Sequence, residues 1–295
     1  MDDLKRYEEL VKTIEYHNDL YYNQDDPKIS DYEYDMMMKE LKKIEKDHPE
    51  FVTPNSPTQH VGGSAKREAG VLVRHRVPML SLQDVFSKEE VQDFVKSMQE
   101  TLVDPVFVVE YKIDGLSMAL RYENGLLTTA ITRGDGIIQG EDVTVNAKVI
   151  KDVKNKLKEP IEYLEVRGEV YMTNEAFDKV NEIQELNNKK TFANPRNCAA
   201  GTLRQLDSRI TKQRNLSMFI FNIQDIRGKE ITSHSQGYEY LKIQGMKVID
   251  NYQVCHNFEE VWKAIEMIGE SRDQLGYDID GAVVKIDSYA QRQQL

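Results

Sequence analysis

The chain has 295 residues, 40% hydrophobic and 30% charged, a globular balance long enough for one large domain with or without a small one. No apolar run is long enough to span a bilayer and no secretory signal opens the chain, so a cytoplasmic protein with no membrane partner is expected. Cys198 and Cys255 lack metal-ligand spacing, which argues against a disulfide framework or a structural zinc site, and the net charge of −11 argues against strong nucleic-acid binding by the surface as a whole.

Leu4, Tyr7, Leu10, Val11, Ile14 and Tyr21 recur at helical spacing and predict a first helix. Ser30-Asp31-Tyr32-Glu33 has the form of a capping box and opens a second, whose stripe runs through Tyr34, Met37, Met38, Leu41 and Ile44 to His48-Pro49. A polar, aromatic-rich turn from Tyr21 to Pro27 separates them. Thr53 to Gly70, rich in Pro, Ser, Thr and Gly, reads as a linker, so we divide the chain into a helical unit, 1–68, and a larger domain, 69–295. Ser87-Lys88-Glu89-Glu90 starts a helix that runs to Leu102. Val106 to Asp114 reads as a strand, and Met118 to Ile131 as a hairpin turning at Asn124-Gly125. Further strands are predicted at Tyr163–Tyr171, Leu216–Ile223 and Gly281–Ile286, and helices at Asn174–Leu186, Gln236–Gln244 and Phe258–Glu270. Antiparallel hairpins with interspersed helices indicate an α+β architecture.

Side chains alternate along a strand, so Glu110, Lys112 and Asp114 share one face and Val109, Tyr111 and Ile113 the other. Lys112-Ile113-Asp114-Gly115 alone is too short to be specific. Glu165, Arg167, Glu169 and Tyr171 likewise share a face, and Lys285 emerges from the apolar run Ala282 to Ile286, where a lysine is costly unless it meets an anion. Arg133 lies in the glycine-rich turn Thr132 to Gly136. Two lysines, an arginine and several carboxylates on strand faces suit a nucleotide site, the cations offsetting phosphate and the carboxylates meeting ribose hydroxyls or a metal. Seven basic residues between Lys189 and Arg214 (Lys189, Lys190, Arg196, Arg204, Arg209, Lys212, Arg214), against one acidic residue, Asp207, could meet phosphates or form a solvated surface.

The segments YYNQDDPKISDYEYD (21–35), PMLSL (78–82), EYKIDG (110–115), TRGDG (132–136), EVRGEVYM (165–172), FANPRNCAAGTLRQLD (192–207), LSMFIF (216–221) and YDIDGAVVKI (277–286) follow one another in a recognisable order. Together they make the chain resemble the N-terminal adenylation region of bacterial NAD-dependent DNA ligases, covalent nucleotidyltransferases. The resemblance implies an antiparallel-sheet nucleotidyltransferase domain, ATP-grasp-like, with a small N-terminal helical subdomain that reads the nicotinamide mononucleotide (NMN) half of NAD. It also implies that Lys112 attacks the α-phosphorus of NAD, with Asp114 and Lys285 in the catalytic set. Tyr21, Tyr22, Asp31, Tyr34 and Asp35 would hold the leaving NMN. Ser81 and Leu82 would line the pocket, Glu110 would lie by the adenine and Phe221 would stack on it. Glu169 and Arg133 would address the ribose, Lys285 the phosphate, and Asp280 would support Lys285 or a metal. Mg²⁺ (or Mn²⁺) is the implied metal, with no ligand set assigned. Lysine attacks only as the neutral amine, which nearby cations favour and nearby carboxylates oppose.

The sequence departs from the family at three places. Ile137 to Asp142 makes the turn after Gly136 one residue longer than usual, Phe221 stands where tyrosine is common, and the chain ends at Leu295, ahead of the last nucleotidyltransferase motif. A monomer that binds DNA weakly and does not seal nicks alone is therefore expected, with nicked duplex DNA the partner of the full-length enzyme. The competing readings are an ATP- or GTP-using relative, such as an RNA ligase or capping enzyme, and an NAD- or DNA-binding fragment without catalytic competence.

Overall fold

The computed structural model describes residues 2–20, 28–54, 56–59, 72–74, 87–133 and 139–295; the side chains of Asp31, Leu72–Arg74 and Gln139 are outside that set. The expected positions Tyr21, Tyr22, Ser81 and Leu82 lie outside the described residues, as does the side chain of Asp31. Two compact units emerge, one of residues 1–84 with 133–142 and one of 85–132 with 143–295.

In the first unit, α1 (Asp3–Asn18) and α2 (Asp31–Asp47) form an antiparallel pair closed by Tyr7, Leu10, Ile14 and Leu41. Leu4, expected on that apolar face, is exposed instead. The Ser30 capping box is present in full, with the Ser30 and Glu33 side chains each accepting from the other's backbone N–H. Two short strands, β1 (Leu72–Arg74) and, later in the chain, residues Gln139–Glu141, pair antiparallel. Neither was visible in the sequence, where three-residue pairings leave no periodicity to read.

The second unit begins with α3 (Lys88–Thr101), capped by Ser87. It continues through β2 (Phe107–Ile113), β3 (Leu116–Glu123) and β4 (Leu126–Thr132). Asn124 and Gly125 both have positive φ, 51° and 80°, as a two-residue hairpin turn requires. After β5 (Gln139–Glu141, of the first unit) come α4 (Thr144–Ala147), β6 (Tyr163–Tyr171), α5 (Asn174–Leu186), α6 (Pro195–Leu203), α7 (Ser208–Gln213) and β7 (Ser217–Arg227). The last elements are α8 (His234–Ile243), β8 (Gln253–Cys255), α9 (Phe258–Ser271), β9 (Ile279–Ile286) and α10 (Tyr289–Arg292). An antiparallel sheet of order β4-β3-β6-β7 and another of order β8-β2-β9 carry the unit, so helices mixed with antiparallel sheet are what the chain builds. The odd-numbered face of β2 (Phe107, Val109, Tyr111, Ile113) is buried among Val91 and Val95 of α3 and Val261 and Ala264 of α9. Helices and apolar contacts therefore claim one side of β2, and its charged side is left to face the other sheet.

Candidate active site

Lys112 is half-buried near the end of β2, with Glu110 on the same strand face and Asp114 just past the strand's end. Gly115 follows because nothing larger fits: a Cβ there would stand 2.0 Å from the Val170 carbonyl oxygen of β6. That close approach brings Asp114 near Glu169. Across the β2–β9 ladder Lys112 pairs with Gly281, whose φ of 136° favours glycine. The next pairing is Ile113 with Ile279, so Asp280 is the extra residue of a bulge that turns it out of the ladder. The Asp114 N–H donates to the Asp278 carbonyl at 3.0 Å, which completes an acidic corner of Asp114, Asp278, Asp280 and Glu169.

In that corner burial, then Asp280, Asp278 and Glu169, push the Asp114 carboxyl up to about 7, with Lys112 opposing. The Arg196 guanidinium of α6 stands 3.6 Å from Asp114 Oδ1. A carboxyl that titrates near neutrality beside an amine can accept that amine's proton, the first requirement for a lysine nucleophile.

Glu110, one alternation back, is in an opposite environment. It is 1% exposed, and burial alone would raise its pKa. Lys285 and the hydrogen-bonding His234 outweigh burial and hold it down to about 2. Lys285 Nζ stands 2.5 Å from Glu110 Oε1, His234 Nε2 is 3.3 Å from Oε2, and the Tyr238 hydroxyl donates to the same Oε2. Burial in turn lowers the pKa of Lys285, with Glu110 opposing. Phe221 is the extra residue of a bulge in β7, since Arg167 pairs with Asn222 and Gly168 with Ile220. The bulge frees the Phe221 carbonyl, which accepts from Lys285 Nζ at 3.3 Å, and sets the ring 5.1 Å from Lys285 Nζ and 5.5 Å from the Arg167 guanidinium. Arg167 donates to Ser117 Oγ at 3.1 Å, and Ser117 donates to Glu169 at 3.2 Å.

The structure thus brings Glu110, Lys112, Glu169, Phe221, Asp280 and Lys285 onto strands of one unit, with Asp114 just past the end of β2. It does not put Lys285 beside Lys112. Lys285 pairs with Val108 and Lys112 with Gly281, four positions apart on β2, roughly 13 Å along a strand. Arg133 falls in the first unit, as do Tyr34 and Asp35 of α2, where the Tyr34 hydroxyl donates to Asn18 Oδ1 at 2.7 Å. Among the described residues no group of three or more His, Cys, Asp or Glu side chains could hold a metal ion. His234 was missed because the expected helix began at Gln236, and Tyr238, inside that helix, was missed because its partner Glu110 is remote in sequence. The signal was present: Ser233 accepts from the Gln236 N–H as N-cap, and Ser233 followed by Gln236 is a capping-box spacing.

Known proteins resemble the chain over nearly its whole length. Residues 70–295 match a family described as the NAD-dependent DNA ligase adenylation domain, and residues 1–62 match one described as the DNA ligase-like, N-terminal NAD+-binding domain. A DNA ligase of Clostridium kluyveri is 55% identical over 292 residues, which cover 99% of this chain and 44% of that protein. Those of Acetivibrio thermocellus and Clostridioides difficile are 49% and 46% identical, covering 99% and 97% of this chain and 44% and 42% of those proteins. The chain spans less than half the length of these relatives. No described helix is long and apolar enough to cross a membrane. With Lys112 and its carboxylates assembled on and just past one strand, and with matches from residue 1 to residue 295, the chain belongs to the NAD-dependent DNA ligase family, of which it carries the adenylation domain and the N-terminal NAD+-binding domain.

Proposed function

We propose that the chain performs the first step of nick sealing. The Lys112 Nζ lone pair forms a bond to the α-phosphorus of NAD, the bond from that phosphorus to the bridging oxygen breaks, NMN leaves with the electron pair, and lysyl-AMP remains. The observation that carries this reading is Asp114, held near neutrality by burial and by the acidic corner two residues from Lys112 and so able to take the amine's proton. Attack then depends on in-line placement and stabilisation of charge.

The residues fit the AMP half of NAD. Phe221, flanked by Arg167 and Lys285, offers a ring for the base, and tyrosine's absence there costs stacking little. Glu110 lies by the adenine, and Lys285, ion-paired to it, belongs to the base end rather than the phosphate. Glu169 addresses the ribose, joined by Arg133. Tyr21, Tyr22, Asp31, Tyr34 and Asp35 hold the NMN half, and Ser81 and Leu82 line the pocket. Mg²⁺ (or Mn²⁺), when bound, would help neutralise the phosphates; no group of side chains that could hold it is found among the described residues, and Asp280 is the carboxylate we propose to support it or Lys285. The domain is ATP-grasp-like, with a helical subdomain bounded near residue 68. In the whole bacterial, cytoplasmic enzyme the substrate is nicked DNA. The exposed Lys189, Lys190, Arg209 and Lys212 would contribute weak contacts to it from this chain, which we take to be a monomer.

Incubation with NAD and Mg²⁺ followed by intact-mass measurement should show one AMP adduct that Lys112→Ala abolishes. Measurable NAD binding without any adduct would favour a binding module without catalysis. Replacing Tyr22 and Asp35 together with alanine should suppress adduct formation from NAD; an unchanged yield would overturn the role given to the N-terminal helices.

A further inference from the structure

Glu110 is held by donors from two elements, and how its oxygens are used has a chemical consequence. Each carboxylate oxygen can accept two hydrogen bonds. Oε2 takes the Tyr238 hydroxyl and lies 3.3 Å from His234 Nε2, while Oε1 stands 2.5 Å from Lys285 Nζ. Among the described residues, one acceptor position therefore stays open, and it is on Oε1. The Tyr238 hydroxyl also lies 3.0 Å from the Phe221 carbonyl, but it has one proton and the carboxylate is the stronger acceptor. His234, its pKa held down to about 4 by burial, is neutral near pH 7 and has one N–H; the bond to Glu110 requires that hydrogen on Nε2.

The two donors are one turn apart on α8, their rings 4.3 Å from each other. The start of that helix is itself fixed, because Asp287, just after β9, accepts from the Ser235 N–H at 2.7 Å and the Ser235 hydroxyl at 2.8 Å. Both donors are buried, His234 and Tyr238 each 1% exposed. A carboxylate gripped in this way can neither rotate nor withdraw.

We infer that His234 and Tyr238 are positioning residues that hold Glu110 so that a purine with an amino group at C6 is accepted and one with an oxo group is refused. The inference rests on the reading above, in which Glu110 meets the base. An amino group donates into the open position on Oε1. An oxo group sets a lone pair against a buried carboxylate that cannot turn aside, and such mismatches discriminate far better than apolar contacts do. Deleting one of the donors opens a second acceptor position on Oε2 and lets the carboxylate turn, so the refusal weakens more than the acceptance.

Calorimetric titration of the chain with NAD and with nicotinamide hypoxanthine dinucleotide tests this in Tyr238→Phe, His234→Leu and His234→Gln. The unsubstituted chain should prefer NAD. Tyr238→Phe and His234→Leu should each lower the ratio of the two affinities about tenfold, the loss of roughly one hydrogen bond to a charged group. His234→Gln, which keeps an N–H donor, should restore much of the ratio. A purely structural role would weaken both dinucleotides alike and leave the ratio unchanged. Should His234→Leu fail to fold, Tyr238→Phe, which deletes a single oxygen, decides alone. An unchanged ratio with NAD still bound overturns this inference only; no NAD binding by the unsubstituted chain overturns it together with the proposed site.

Discussion

Glu110 within β2 and Asp114 just past its end are four residues apart, and the fold drives them in opposite directions. Burial raises both, yet Glu110 is held down to about 2 and Asp114 pushed up to about 7. The difference is in the neighbours. Lys285 is in contact with Glu110, whereas Asp114 shares its corner with Asp278, Asp280 and Glu169 and has Arg196 only at 3.6 Å. The middle of β2 thus holds a fixed, charged carboxylate, and the residue after its end is a carboxyl able to exchange a proton at neutral pH. Enzymes separate acid–base roles between like residues by such differences of environment.

The largest effect on this contrast should come from Lys285→Met. Glu110 would be left buried without its cation, at a cost of about 3–5 kcal/mol at pH 8. Burial would then favour the neutral acid, so the loss should shrink toward pH 4. Urea unfolding at the two pH values measures both, and undiminished stability at pH 8 would show that the ion pair does not hold Glu110.

Asp114→Asn should act next and with the opposite pH sense. Folding raises this group above its ordinary value of 3.8 to about 7, so the folded state binds its proton more tightly than the unfolded chain does. The stability it contributes is full below that ordinary value and is lost as pH rises toward 7, by up to about 1.4 kcal/mol per pH unit. Asparagine removes this slope, so the variant should gain on the parent across that window, while its yield of AMP adduct falls at every pH. Parallel stability curves for the two proteins would mean that Asp114 does not titrate near neutrality.

The smallest effect is expected from Arg196→Gln. Its guanidinium approaches Asp114 at a distance longer than a hydrogen bond, so its removal should raise the Asp114 titration by about half a pH unit and change stability by less than about 1 kcal/mol. Carboxyl-selective NMR titration reads that shift directly. A downward movement would show that Arg196 does not favour the charged form.

Much of the scaffold could be read from local chemistry. The Ser30 box, the Asn124-Gly125 turn and the alternation from Phe107 to Ile113 announced their elements, because caps, positive-φ turns and strand faces depend on residues close in sequence. The bulges did not announce themselves. Asp280 and Phe221 each owe their direction to one extra residue in a ladder, and a ladder's register is a property of two strands together. For the same reason the apolar run around Lys285 showed only that it should meet an anion, and the β2–β9 pairing is what sets it on Glu110.

The sequence by itself determined that Lys112 lies on a charged strand face between two carboxylates and that glycine follows at 115, since alternation and motif are written in consecutive residues. Only the tertiary structure decided which carboxylate keeps its charge. Titration depends on burial and on charges a few ångströms away, and Lys285, His234, Tyr238, Asp278 and Glu169 reach those distances from strands and a helix remote in the chain.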